Sequence, residues 1–265
     1  MKIFKHKESL KKEISGNRNL HFIPTMGNLH SGHKYLIRKA KKKDEKVIVS
    51  IYINPKQFNS KTDFHNYPRN INKDIKILKE LKVDYLYAPN YEDIYLFKTK
   101  NKIYLDKFSK QLCGKFRKSH FKGVLNVVNR LLEIIEPKTI ILGKKDFQQL
   151  YLIKKHIQKN NINTNVVAGK TIREKNGVAC SSRNKNLSSS EMSNASNIFL
   201  YLKKSKSKNL NLVKIKNKFK EYGVNKIDYI KILDIKTLKK PDLNKSKYNI
   251  FVAYYFRKTR LIDNF

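Results

Sequence analysis

Tryptophan is absent, methionine occurs three times and cysteine twice, and 21 acidic residues face 59 lysines and arginines. Each shortage excludes something. Cys113 and Cys180 are too few for a disulfide framework and too far apart for a zinc-ligand spacing, so a reduced compartment is expected. Long apolar runs are also missing: the longest, Ile250 to Phe256, falls well short of the roughly 20 residues of a membrane helix. The opening MKIFKHKESLKKE is charged throughout and lacks the apolar centre of a signal peptide. These absences predict a cytoplasmic protein with no membrane partner.

The shortage of acid leaves a formal net charge of +38, which invites a nucleic-acid reading. The lysines, however, are spread over nearly every segment and are not interleaved with aromatics. Heavy use of asparagine and isoleucine points to drift toward A/T-rich codons at tolerant surface positions. A solvated basic surface that attracts anions generally is expected, with no nucleic-acid partner.

What is present is alternation. Leu20–Ile23 reads as a short strand and Val47–Ile53 as a stronger, β-branched one, with a helix over His33–Lys43 between them. Ile71, Ile75, Leu78 and Leu81 recur at helical spacing, and Asp84–Ala88 follows as a strand. Val124, Val127, Val128, Leu131, Leu132 and Ile135 form the clearest amphipathic stripe, which stops before Pro137. Thr139–Leu142, Phe147–Gln158 and Asn165–Ala168 read as strand, helix and strand. The order predicts an α/β fold: a Rossmann-like, doubly wound parallel sheet over residues 1–169. A smaller C-terminal α+β domain is expected over residues 170–265. It would hold helices near Ser188–Lys203 and Leu212–Tyr222, a solvated linker over residues 203–211, and antiparallel strands Ile227–Ile232 and Asn249–Phe256.

In open parallel sheets, ligands gather beyond the carboxyl ends of the strands. Three polar clusters fall there: PTMGNLHSGH (24–33), NPKQF (54–58) and GKKDFQQL (143–150). A fourth, CSSRN (180–184), opens the second domain. In the first, Gly27 and Gly32 would let backbone N–H groups approach a ligand. A helix starting near Ser31 would direct about half a positive charge at it. His30 and His33, three apart, share one face and can donate to phosphate oxygens. Helix capping is the plainer reading of His33. A metal site is disfavoured, since no glutamate separates the pair and no third ligand is near.

His30-Ser-Gly-His33 resembles the HIGH signature of the nucleotidyl-transferring superfamily. The ordered set PTMGNLHSGH, NPKQF, YPR, HFKGV, GKKDFQQL, SSRN and RLIDN resembles the pantothenate synthetase (pantoate–β-alanine ligase) family over nearly the whole chain. The resemblance implies an AMP-forming ligation: a carboxylate of pantoate attacks the α-phosphorus of ATP, and the amine of β-alanine then displaces AMP from pantoyl adenylate. It implies Mg2+ accompanying ATP, and a homodimer. By resemblance, Met26, Gly27, Asn28, Leu29, His30, Ser31, Gly32 and His33 line the ATP site, with His33 as proton donor and His30 and Lys145 as its catalytic companions. A group titrating near neutral pH suits that role. Gly143, Lys144, Lys145 and Asp146 match the nucleotide loop. Ile172, Cys180, Ser181, Ser182 and Arg183 supply hydroxyls and a guanidinium for the phosphates and suggest closure over ATP.

Gln57, Gln149, Asn54 and Arg117 would hold pantoate, with Met26, Val127 and Val128 as an apolar wall; ordinary helix core explains the two valines equally well. Several positions depart from the family pattern. Lys144 replaces glutamate, Cys180 leucine, and Lys118 and Ser119 replace proline and glycine before His120. Tyr52 replaces phenylalanine, so its hydroxyl needs a partner or an exit to solvent. Asp74 reads either as an exposed helix carboxylate or as an aid to Mg2+. The alternatives are a nucleotidyltransferase that adenylylates another small acid or phosphate ester, and a basic nucleic-acid binder.

Overall fold

The computed structural model describes residues 1–17, 19–41, 45–206, 210–245 and 247–265. Two units divide the chain, Met1–Lys170 and Thr171–Phe265.

Among the described residues, the first unit is built on six strands: β1 (Lys2–Phe4), β2 (Leu20–Thr25), β3 (Lys46–Ile51), β4 (Tyr85–Tyr87), β5 (Thr139–Gly143) and β6 (Asn165–Gly169). All pair in parallel, in the order β1-β4-β3-β2-β5-β6. Strands buried on both faces read as continuous apolar runs, and β3 has Val47, Ile48 and Val49 with no exposure. From β2 the chain builds outward through β3 and β4 on one side and through β5 and β6 on the other. The crevice of a doubly wound sheet therefore opens beyond the carboxyl ends of β2 and β5.

The helices described in this unit are α1 (Lys7–Ile14), α2 (Ser31–Ala40), α3 (Lys61–His65), α4 (Ile71–Glu80), α5 (Tyr91–Tyr95), α6 (Cys113–Phe116), α7 (His120–Ile135) and α8 (Phe147–Lys159). Leu36, Ile37 and Ala40 of α2 pack with Ile77 and Leu78 of α4 and with Val47, Val49 and Leu86 of the sheet. Gly169 admits Leu36 so closely that a β-carbon there would lie 2.2 Å from its Cδ2. The edge strand β1 and helix α1, which the periodicity does not announce, extend the sheet beside β4. The expected helix over His33–Lys43 ends at Ala40, and residues 42 and 43 lie outside those described. The buried face of α4 also differs from expectation. Ile71 is exposed, while Asp74 joins Ile77 and Leu78 on the inner side.

The second unit holds α9 (Ser189–Lys206), α10 (Leu212–Glu221) and the antiparallel strands β7 (Lys226–Asp234), β8 (Tyr248–Phe256) and β9 (Thr259–Asn264), in the order β7-β8-β9. A reciprocal cap opens α9: Ser188 N–H donates to Glu191 at 2.7 Å and Glu191 N–H to Ser188 Oγ at 3.2 Å. Ile198, Leu202, Ile215 and Phe219 pack on Ile250 and Val252. The expected linker over residues 203–211 is corrected at its start, which is helical through Lys206; residues 207–209 lie outside those described.

Candidate active site

β2 ends at Thr25, and the next residues turn sharply before α2. Gly27 takes a positive φ of 76° and Asn28 one of 49°, conformations that glycine and asparagine tolerate best. A carboxylate holds this turn. Both oxygens of Asp74 accept backbone N–H bonds, from Asn28 at 2.7 Å and from Leu29 at 2.8 Å. Asp74 is 2% exposed, so it is not the exposed helix carboxylate expected, and each of its oxygens holds the loop. Thr25 Oγ1 fastens the other side, donating to Ser50 O at 2.8 Å and accepting Gly27 N–H at 3.1 Å.

The two histidines cap one another. His30 Nδ1 accepts the Gly32 N–H at 3.1 Å, and His33 Nδ1 accepts the His30 N–H at 3.3 Å. Each Nδ1 is therefore an acceptor, so each neutral ring carries its proton on Nε2. The rings lie 4.0 Å apart between centroids. Burial above all pushes His33 down to about 3, and the Lys145 charge, with that of His30 whenever its ring is protonated, acts in the same direction. His33 is thus neutral at pH 7, which corrects the expectation of a group titrating near neutrality.

A second expectation is corrected with it. The N–H groups of Gly27, Asn28, Leu29, His30 and Gly32 all donate inside the protein. What this turn offers a ligand is imidazole N–H and the N-terminal charge of α2.

On the far side of the crevice, β5 runs into the turn Lys144–Asp146 and then into α8. A β-carbon at Gly143 would meet nothing within 4 Å, so open space lies over that backbone. Lys144 is exposed, whereas the Lys145 side chain is 18% exposed and 4.0 Å from Asp146. The influence of Lys145 on His33 brings both halves of the crevice into one field.

Beyond β3, Asn54 is 1% exposed and fully hydrogen-bonded. Its Oδ1 accepts from Lys56 N at 3.2 Å and Tyr95 Oη at 2.9 Å; its Nδ2 donates to Gln57 Oε1 at 3.2 Å and Gly123 O at 3.1 Å. Gln57 Nε2 then lies 2.9 Å from Met26 Sδ. The Gln57 carbonyl accepts from His120 Nδ1 at 2.7 Å and Arg117 Nη2 at 3.3 Å, and Arg117 Nη1 contacts His120 Nε2 at 3.0 Å. Arg117 and His120 thus reach the same turn as Gln57, despite Lys118 and Ser119. Ser119 takes the left-handed region (φ 62°). Val127 and Val128 are buried on α7, and Gln149 is half-buried on α8. Tyr52 departs from both expectations. It is 8% exposed, and its hydroxyl has no partner among the described residues.

Three residues escaped the sequence reading: Asp74 as a loop anchor, Tyr95, and Gln148. Gln148 accepts from Cys113 N at 3.0 Å and donates to Phe108 O at 2.7 Å and Gln111 O at 2.8 Å, tying the segment before α6 to α8. Its adjacency to Gln149 in QQ was a signal; the other two had none.

In the second unit, Ile172 O accepts the Cys180 N–H at 2.9 Å, and Arg173 bridges to Ala179. Cys180 is a buried thiol outside any disulfide. Ser181 Oγ accepts the Arg183 N–H at 3.2 Å and opens the turn Ser182–Asn186.

A family model described as pantoate-beta-alanine ligase matches residues 2–265. A pantothenate synthetase of Sulfurihydrogenibium sp. (strain YO3AOP1) is 40% identical, over 97% of this chain and 94% of its own. One from Fervidobacterium nodosum is 38% identical, over 96% and 93%. Among solved structures, the pantoate-beta-alanine ligase of Francisella tularensis, complexed with beta-gamma ATP and beta-alanine, has a TM-score of 0.87 and 38% identity; the match covers 100% of this chain and 97% of that one. Pantothenate synthetase from Thermus thermophilus has a TM-score of 0.90 and 29% identity, covering 100% and 99%.

Proposed function

The chain belongs to the pantoate–β-alanine ligase family, and from that premise we propose a division of labour among its side chains. The enzyme is an ATP-dependent, AMP-forming ligase of pantothenate biosynthesis. A pantoate carboxylate oxygen attacks the α-phosphorus of ATP, the bond to pyrophosphate breaks, and pantoyl adenylate forms. The β-alanine nitrogen then attacks the acyl carbon, AMP leaves, and the nitrogen gives up a proton.

The first step shifts negative charge onto the departing pyrophosphate, so preorganised donors lower its barrier. His30 and His33 serve as neutral Nε2–H donors to phosphate oxygens, with Lys145 as a point charge beside them. The observation that carries this is the mutual cap, which assigns both Nδ1 atoms to backbone N–H groups. Gln57, and with it Gln149, holds pantoate by neutral amides that leave its carboxylate nucleophilic. Val127, Val128 and Met26 face its apolar part, and Arg117 braces the turn of Gln57. In the second unit, Ser181, Ser182 and Arg183 carry donors suited to phosphate oxygens.

Mg2+ typically keeps its waters and binds through nucleotide phosphates. Among the described residues no three His, Cys, Asp or Glu side chains group as a metal cage. We assign Mg2+ to ATP itself, where it would neutralise phosphate charge. A homodimer acting in the cytoplasm follows the family resemblance; no described helix is long and apolar enough to cross a membrane.

The test is product identity. With pantoate, ATP and β-alanine the enzyme is expected to release AMP, pyrophosphate and pantothenate, and pantoate alone should support pyrophosphate exchange into ATP. Release of ADP, or exchange that proceeds without pantoate, would overturn the reading.

A further inference from the structure

The hydrogen-bond chain Tyr95 to Asn54 to Gln57 has a direction. Asn54 Oδ1 receives two donors, the Lys56 N–H and the Tyr95 hydroxyl. Turning the amide over would set its NH2 against the Lys56 N–H and its oxygen against the Gly123 carbonyl, so Nδ2 must be the group that faces Gln57. Gln57 Oε1 accepts from it. The Nε2 of Gln57 is left as the donor end of the chain, with Met26 Sδ 2.9 Å from it.

We propose that Tyr95 is a positioning residue that locks Gln57 as a hydrogen-bond donor toward an oxygen of pantoate. The donor sense matches the substrate, because a carboxylate can only accept. Tyr95 itself is rigidly held. Two cations stand over its ring, Lys56 Nζ 3.8 Å and Arg130 Cζ 5.1 Å from its centroid. Arg130 also donates to Ile94 O at 3.0 Å and Phe97 O at 2.7 Å, and so secures the end of α5. Burial above all pushes the Tyr95 phenol up to about 12, so it remains a donor across the neutral range.

Resting on the proposed contact between Gln57 and pantoate, the role of Tyr95 is tested with three variants: Tyr95→Phe, Gln57→Ala and the pair. Tyr95→Phe keeps the ring and its cations and removes only the hydroxyl. KM for pantoate is expected to rise about fivefold, while kcat and KM for ATP stay within about twofold. On a Gln57→Ala background the same substitution should add less than about twofold, because its effect runs through the missing amide. Independent, multiplying effects, or an unchanged pantoate KM in Tyr95→Phe, overturn the positioning role alone. An unchanged pantoate KM in Gln57→Ala overturns the substrate contact, and the role of Tyr95 with it. Equal rises in both KM values mean a loosened fold and count against positioning.

Discussion

Asp74 Oδ2 crowds the place where a side chain on Gly27 would begin: a β-carbon there would stand 2.9 Å from it, too close for either to stay put. The glycine and the carboxylate are one device. The missing side chain lets Asp74 reach the turn that carries both histidines, and the carboxylate holds that turn at a positive φ.

Asp74→Asn places an NH2 group against a backbone N–H. Loss of a charge-assisted bond of this kind costs about 1.5–3 kcal/mol, so the melting temperature should fall and adenylate formation with it. Thermal unfolding and single-turnover adenylation measure the two. An Asn variant as stable and as fast as the parent would show that the turn holds itself.

His33→Ala should slow adenylate formation by about 2.7–4 kcal/mol, the loss associated with one preorganised donor, and weaken ATP binding far less. The pH dependence is distinct as well. With His33 pushed down to about 3, its ring is neutral from pH 5 upward, and the adenylation rate should show no limb near 6.5 that disappears in the Ala variant. Such a limb would restore a titrating proton donor.

Gly123→Ala has a steric outcome. A β-carbon at 123 would lie 2.2 Å from the Lys56 carbonyl oxygen and 2.9 Å from Gln57 Cα. The backbone bearing Gln57 must move. A cost of about 1–3 kcal/mol in stability is expected, together with a raised pantoate KM. Retention of both values would show that α7 and the Gln57 turn separate freely.

His156 makes acid stability testable. Its ring is wholly buried, with Nε2 bonded to Asn129 Oδ1 at 2.9 Å and Nδ1 accepting the Tyr104 N–H at 3.2 Å. Burial pushes it down to about 4, against the opposing charge of Glu133. The unfolded chain, titrating near 6.5, takes up the proton first. The stability held by the neutral ring is therefore complete above about pH 6.5 and declines as pH falls toward 4. An imidazole NMR titration of the folded enzyme should find no midpoint between 6 and 7 for this residue (roughly its ordinary range); a midpoint there would remove the linkage.

The alternation of apolar strands with amphipathic helices specified the parallel sheet, because period and burial are both written locally: Val47–Val49 and the stripe on α7 need no distant partner to be recognised. The seven ordered segments from PTMGNLHSGH to RLIDN likewise carried the family. The tertiary structure decided which groups face a ligand. Asp74 is bonded to residues 45 and 46 positions away, Tyr95 to one 41 away, and His120 to one 63 away, and no local pattern encodes such pairings. The apolar-face rule even hid Asp74, since a carboxylate reads as solvent-facing until its two N–H partners are known. Glycine spacing suggested open backbone donors at the first turn, but a buried carboxylate, a threonine hydroxyl and two imidazoles take those donors, because buried N–H groups seek partners inside the protein.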